Sequence, residues 1–299
     1  HGYRSVNPTV GTEKEFDNLP KDGNGRTVVV VGAGVAGLTC AEMLGRRGFK
    51  PIVLEKTDKI GGQIQLADKP PKKEKLGWCF EDMRVNAEKF GAEIHLNTEA
   101  NEEVIKSFNP YAVVIATGAQ AVKPRSIKGS DLANVYTTTQ ILSGEVVLKG
   151  KKVALIGSGM TGLETAEMLV DKDNKVTIVE MADTLAPGTW FQHVDDVVPK
   201  LDAKGTKYVL SHRLVCIDEK GVTIEPVKVK KNKVKAVGDK ERIDCDAVVL
   251  SLGAKSVNDL AKSLEGKFDN LFVIGDAKKV GRIADATAQA YDVAIHKIK

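Results

Sequence analysis

Gly32, Gly34 and Gly37 stand at G-x-G-x-x-G spacing directly after four consecutive valines, Val28 to Val31. That spacing suits the cradling of a pyrophosphate. The first glycine permits the tight turn, the second lets phosphate approach the backbone, and the third lets a helix pack against the strand. Val35 and Ala36 lie between them, where a helix N-terminus directs unpaired N–H groups and a positive dipole end at an anion. Glu55, followed by Lys56, ends the next apolar run, where a carboxylate can accept hydrogen bonds from both hydroxyls of an adenosine ribose. Strand, glycines, helix and terminal acid together predict a dinucleotide site, which the glycines alone would not.

The same constellation recurs. GAGVAGLTCAEML at Gly32 to Leu44 matches GSGMTGLETAEML at Gly157 to Leu169, so Gly157, Gly159, Met160, Thr161 and Gly162 form a second loop. Glu180 repeats Glu55 at the same offset. Two dinucleotide sites in one chain imply two redox cofactors, and the natural pair is a flavin, FAD, with a nicotinamide, NADH.

The elements that must position these residues read as β-α-β units. Helical apolar positions Leu38, Ala41, Met43 and Leu44 follow the first loop, and Pro51 to Leu54 is the next strand. Gly62 and Gln63, in Ile60-Gly61-Gly62-Gln63, fit a close backbone contact along a cofactor. A helix is expected over Leu76 to Phe90 and a short strand over Glu93 to Leu96. The buried strand Tyr111 to Ala119 carries Ala116, Thr117 and Gly118, small residues at a carboxyl end where ligands sit. A parallel copy, Asp246 to Ala254, carries Gly253. The helix His193 to Lys204 and the strand Lys207 to Leu210 precede a small β section running to Asp244. Finally, the strand Leu271 to Asp276 ends at Gly275 and Asp276, an acid that can bond a sugar or ribityl hydroxyl. A helix starting near Asp285 or Ala286 would turn its N-terminus toward negative charge. The fold class expected is α/β, two Rossmann-like domains with the second inserted in the first: residues 1–145 and 245–299 for FAD, residues 146–244 for NADH.

Composition narrows the remaining classes. With 299 residues, 42% apolar and 28% charged, the chain fits a two-domain globular protein, and a net charge of +4 calls for neither nucleic acid nor membrane as partner. The lysine-rich stretch Val227 to Lys235 reads as a solvated hairpin whose lysines discourage edge pairing, with an acidic docking surface as the alternative. No run of 18 apolar residues and no charged-then-apolar leader occurs, so a cytoplasmic location is expected. Cys40, Cys79, Cys216 and Cys245 form no C-x-x-C or C-x4-C pair, and the five histidines are scattered. Disulfide, metal and iron–sulfur chemistry within the chain therefore lose ground. Residues His1 to Arg26 read as an irregular lead-in lying against the first domain. Without an initiating methionine they imply processing or a fragment.

The two glycine loops, Glu55 and Glu180, ATG at Ala116 to Gly118 and GD at Gly275 and Asp276 resemble the flavoproteins with two dinucleotide-binding domains. More narrowly, SVNPTVGTEKE, GGQIQLADKPPKKE and GRIADATAQAY look like the C-terminal half of NADH:flavin oxidoreductases related to 2,4-dienoyl-CoA reductase, trimethylamine dehydrogenase and bile-acid-inducible oxidoreductases. The resemblance implies electron flow from NADH to FAD, through an iron–sulfur cluster, to FMN in a substrate-binding barrel. A barrel needs about 250 residues of its own, and the family's last cluster cysteine precedes V-N-P, where His1 to Val6 has none. Barrel and cluster are thus expected outside this chain, as its electron acceptor. Within it, Glu164 is expected near the nicotinamide ribose. Two other readings stay open: a stand-alone NADH dehydrogenase or ferredoxin-type reductase, and a non-catalytic ADP-binding scaffold.

Overall fold

A computed structural model describes residues 6–71, 73, 75–189, 191–231 and 233–299. Residues 1–5 of the lead-in, two residues of the GGQIQLADKPPKKE stretch and the residue at the tip of the lysine hairpin lie outside the described set. The chain forms two compact units, one of residues 1–68, 74–120 and 255–299, the other of residues 69–73 and 121–254. These limits differ from those expected at 145 and 245. Residues 121–145 supply the strand Val135–Thr137 and the helix Thr138–Leu142, and that strand pairs in parallel with Ala247–Leu250 of the second sheet.

The first unit is built on a five-stranded parallel sheet in the order Leu271–Val273, Ala112–Ile115, Thr27–Val31, Lys50–Leu54, Glu93–His95. The valine run explains its centre. Val28 and Val30 join one core layer, with Leu38, Met43 and Leu44 of the helix Val35–Arg46, while Val29 and Val31 join the layer on the other face. A strand covered on both faces tolerates no polar alternation, which is why four valines run together. Each valine so buried contributes about 2 kcal/mol of apolar transfer.

The second unit repeats the plan: Val135–Thr137, Ala247–Leu250, Lys152–Ile156, Lys175–Val179, Lys207–Val209, all parallel. It adds an antiparallel sheet of His212–Asp218, Gly221–Lys230, Lys233–Ala236 and Glu241–Asp244. In both parallel sheets the strand feeding the glycine loop is central, and the strands that follow it are added first on one side and then on the other, with Val135–Thr137, which precedes it in the chain, at the far edge of the second sheet. That reversal opens a crevice beyond the carboxyl ends of the strands, where ligands of open α/β sheets bind.

The predicted elements are present with shifted ends. Strands expected to run through Ala119, Ala254 and Asp276 stop at Ile115, Leu250 and Val273, since the small residues beyond leave the ladder at those carboxyl ends. The last helix begins at Ile283, two residues before Asp285, which as its third residue closes the first turn by accepting from the Arg282 N–H at 2.8 Å. Among the described residues, no helix is long and apolar enough to cross a membrane.

Candidate functional site

The three glycines of each loop fall into two kinds when a Cβ is imagined on them. At Gly37 it would lie 1.9 Å from the Gly32 carbonyl oxygen, and at Gly32, whose φ is +106°, it would lie 2.4 Å from the Ala116 oxygen. The second loop matches: a Cβ on Gly162 would stand 2.4 Å from the Gly157 oxygen, and one on Gly157 2.4 Å from the Ser251 oxygen. Outer glycines are therefore demanded by the protein's own backbone. The middle ones are not. Gly34 meets nothing nearer than the Gly61 oxygen at 4.0 Å, and around Gly159 there is open space within that radius. Both open a helix, the first starting at Val35 and the second at Met160, with Val35 and Ala36, or Met160 and Thr161, forming the opening turn. Space kept clear at a helix N-terminus suits a phosphate.

The strand-end acids are fixed by a shared pattern. Glu55 Oε2 accepts from the Ala33 N–H at 3.0 Å, and its Oε1 accepts from the Thr57 N–H at 3.0 Å and the Thr57 hydroxyl at 2.8 Å. Glu180 Oε2 accepts from the Ser158 N–H and hydroxyl, each at 2.8 Å, while Oε1 accepts from the Ala182 N–H at 2.8 Å. Both carboxylates are buried to 9% exposure. Each ties its strand end to its glycine loop and, with about four acceptor sites per carboxylate, still has capacity for a ribose hydroxyl. The Ser158 hydroxyl also accepts from the Ala186 N–H at 3.0 Å, as the Thr57 hydroxyl beside Glu55 is also bonded to the Lys59 carbonyl at 2.9 Å. Lys56, beside Glu55, is exposed.

The first unit brings further predicted residues to its loop. Gly61 pairs with Gly34 and donates to the Ala33 carbonyl at 2.7 Å, and a Cβ on Gly62 would be 3.4 Å from Gly34 Cα. Gln63 donates to the Ala119 carbonyl. A Cβ on Gly275 would meet the Ala36 side chain at 2.8 Å, which sets Asp276 beside the opening of the first helix. Asp276 accepts from the Gly281 N–H at 3.0 Å, and burial pushes its carboxyl above the usual carboxylate range, with Asp285 adding to that and the Gly281 N–H opposing it. Two of the candidate residues already have partners. The Thr117 hydroxyl is committed to the Val257 carbonyl, and the Ala286 N–H is already used inside its helix on the Arg282 carbonyl. Ala116 is buried under the loop, whereas Gly118 and, in the second unit, Gly253 have open space around them.

Glu164, on the helix after the second loop, is buried and paired with Lys73, and His193 Nε2 lies 3.6 Å from the same carboxylate oxygen. Sequence reading missed Lys73, His193 and Ser158. Ser158 had a signal, its place between Gly157 and Gly159. Lys73, in a lysine run, had none.

With this geometry in hand, the comparisons are specific. The family model described as pyridine nucleotide-disulphide oxidoreductase matches residues 26–290. The NADH oxidase of Thermoanaerobacter brockii is 35% identical over 300 residues, covering 97% of this chain and 44% of that protein. The cinnamate reductase of Clostridium sporogenes is 33% identical over 298 residues, covering 97% and 42%. A solved 2-naphthoyl-CoA reductase complex superposes with a TM-score of 0.87 at 28% identity, covering 98% of this chain and 43% of that one. The chain thus spans less than half the length of these relatives.

Proposed function

We propose that this chain, which belongs to the pyridine nucleotide-disulphide oxidoreductase family and is an FAD- and NAD(P)H-dependent oxidoreductase, is the module in which NADH reduces FAD before electrons leave for an acceptor outside these 299 residues. The observation that supports it is the pair of clear spaces at Gly34 and Gly159, each with an anchored carboxylate at the next strand end. We assign FAD to the first unit, because among the described residues it is there that a glycine pair, Gly61 and Gly62, and the Gly275–Asp276 turn crowd against the loop.

The bound flavin would supply the chemistry, taking a hydride from nicotinamide and releasing electrons onward. The chain's own residues bind and orient. N–H groups at the helix start Val35–Ala36 face one pyrophosphate, those at Met160–Thr161 the other, and Glu55 and Glu180 take the adenosine riboses. Glu164, neutralised by Lys73, lies beside the nicotinamide ribose in this reading. The resemblance of its motifs to NADH:flavin oxidoreductases implies that the acceptor would be an FMN-bearing barrel reached through an iron–sulfur cluster, and the name of the cinnamate reductase points to an activated alkene as substrate.

The test is spectroscopic. The purified chain should show flavin absorbance that bleaches anaerobically on adding NADH and returns when an artificial dye is added. A protein without flavin after reconstitution with FAD would overturn the reading in favour of a nucleotide-holding scaffold.

A further inference from the structure

The net charge of the chain is +4, yet five lysines lie in one hairpin, Lys228, Lys230, Lys231, Lys233 and Lys235, so the other residues sum to slightly negative. No acidic residue interrupts the stretch between Glu225 and Asp239. All five are exposed, and none of them is ion-paired to a described carboxylate.

Pairing of Gly221–Lys230 with Lys233–Ala236 sets Lys228 opposite Lys235 and Lys230 opposite Lys233. Directly opposed residues share a face, so four ammonium groups stand together on one side of the ribbon. Val229 and Val234 oppose each other on the other side. Like charges placed directly opposite destabilise a ribbon. Beyond Val227 the only described partner of the strand Gly221–Lys230 is Lys233–Ala236, so both edges of the ribbon are free and lysine on either would discourage edge pairing. Edge protection does not call for lysines directly opposite one another on one face, as Lys228 and Lys235, and Lys230 and Lys233, are here.

We propose that this lysine face is a docking surface for an acidic protein, one presenting carboxylates at i,i+4 along a helix. Adjacent lysines on the ribbon are about 5 Å apart across strands and about 7 Å apart along them, and helical carboxylates four residues apart have a spacing of about 6 Å. Nucleic acid fits poorly: residues 221–241 hold no arginine for bidentate phosphate contact and no aromatic ring for base stacking. A lipid surface fits poorly too, because the opposite face offers valine and alanine without the aromatic or leucine residues that anchor a chain in a bilayer interface. Long-range attraction without bidentate contacts gives fast, salt-sensitive association, suited to a partner that comes and goes. The inference does not rest on which cofactors fill the two loops.

The experiment uses the whole chain, as isolated, with a fluorescein-labelled helical peptide carrying glutamate at every fourth position. Its glutamine counterpart, a thymidine oligonucleotide and phosphatidylserine vesicles serve as competing probes. At an ionic strength of about 0.02 M the glutamate peptide should bind at least about tenfold more tightly to the native chain than to the K228Q/K230Q/K233Q/K235Q variant, and the difference should shrink near 0.2 M. The corresponding lysine-to-arginine variant should bind like the native chain. The glutamine variant should keep its circular dichroism and melt at or above the native temperature, because repulsion across the ladder is relieved. Equal peptide binding by native and variant chains would overturn the proposal, as would tighter binding of the oligonucleotide or vesicles than of the peptide. A lower melting temperature would also overturn it, by showing that the lysines serve the fold.

Discussion

At the scale of single residues, chemical identity divides labour within each G-x-G-x-x-G. Gly37 and Gly34 are three positions apart and indistinguishable by type, yet a Cβ added to the first would lie 1.9 Å from a backbone oxygen and one added to the second would meet nothing nearer than 4.0 Å. Gly37→Ala should therefore cost stability of the order of 3 kcal/mol or prevent folding, whereas Gly34→Ala should leave the urea midpoint within about 0.5 kcal/mol of native and strip flavin from the protein. Co-measured flavin content and denaturation curves check this, and a Gly34→Ala protein that keeps its flavin would remove the first loop as the binding site. Asp276 behaves oppositely. Its carboxyl is raised by burial, so the folded state favours the protonated form. Its stabilising contribution is complete below the ordinary value near pH 4 and is lost as pH rises through the raised one. Asp276→Asn should accordingly raise the melting temperature of the flavin-free protein at pH 7, with the gain disappearing toward pH 3, while weakening FAD retention. Glu180 is the residue we propose to govern coenzyme choice. A 2′-phosphate would meet a carboxylate held by Ser158 and Ala182, and Met181 to Thr184 include no cation to neutralise it. NADH should be preferred by at least about tenfold in kcat/KM, each tenfold being about 1.4 kcal/mol. Equal values for NADPH would refute the role given to Glu180.

At the scale of elements, the first unit is closed by a buried arginine. Arg47, at 2% exposure, follows the helix Val35–Arg46 and donates to the Ala294 and Ile298 carbonyls near the C-terminus and to both oxygens of Asp22 in the lead-in. Asp22 is held below its ordinary pKa chiefly by that guanidinium, so its contribution is present above the unfolded value and lost as pH falls through the lowered one. Replacing Arg47 by methionine keeps the volume but leaves two carbonyls unpaired and the aspartate without its partner. The cost should be about 3 kcal/mol. Chemical denaturation would register it, together with a smaller loss of stability on acidification than native protein shows. A midpoint unchanged in the variant would mean that water replaces the guanidinium at no cost.

At the scale of the whole molecule, each unit carries one glycine loop with an anchored strand-end acid, and the chain spans less than half the length of the relatives it matches. NADH consumption by the isolated chain should proceed with a dye as acceptor. With a 2-enoyl thioester or an enone in place of the dye, NADH absorbance should stay flat. Stoichiometric reduction of the alkene by this chain would show a substrate site within the 299 residues and sink the module reading.

Much of this was determined by sequence alone, because a repeated local pattern carries its own geometry. Two glycine triplets after apolar runs, with an acid at the following strand end, can form few structures other than β-α-β crossovers, and both sheets and the insertion of one in the other follow. Lysine alternation in Lys228 to Lys235 likewise announced a hairpin, though not its register, and only the register sets lysine against lysine. Contacts that close over long sequence distance were decided by tertiary structure. Thr117 spends its hydroxyl on Val257, Glu164 meets Lys73 and His193, Arg47 finds Ala294, and residues 121–145 join the second sheet through Val135–Thr137. None of these partners is marked by spacing. A hydrogen bond between residues far apart in the chain depends on where two separate elements come to rest, and no local periodicity encodes that.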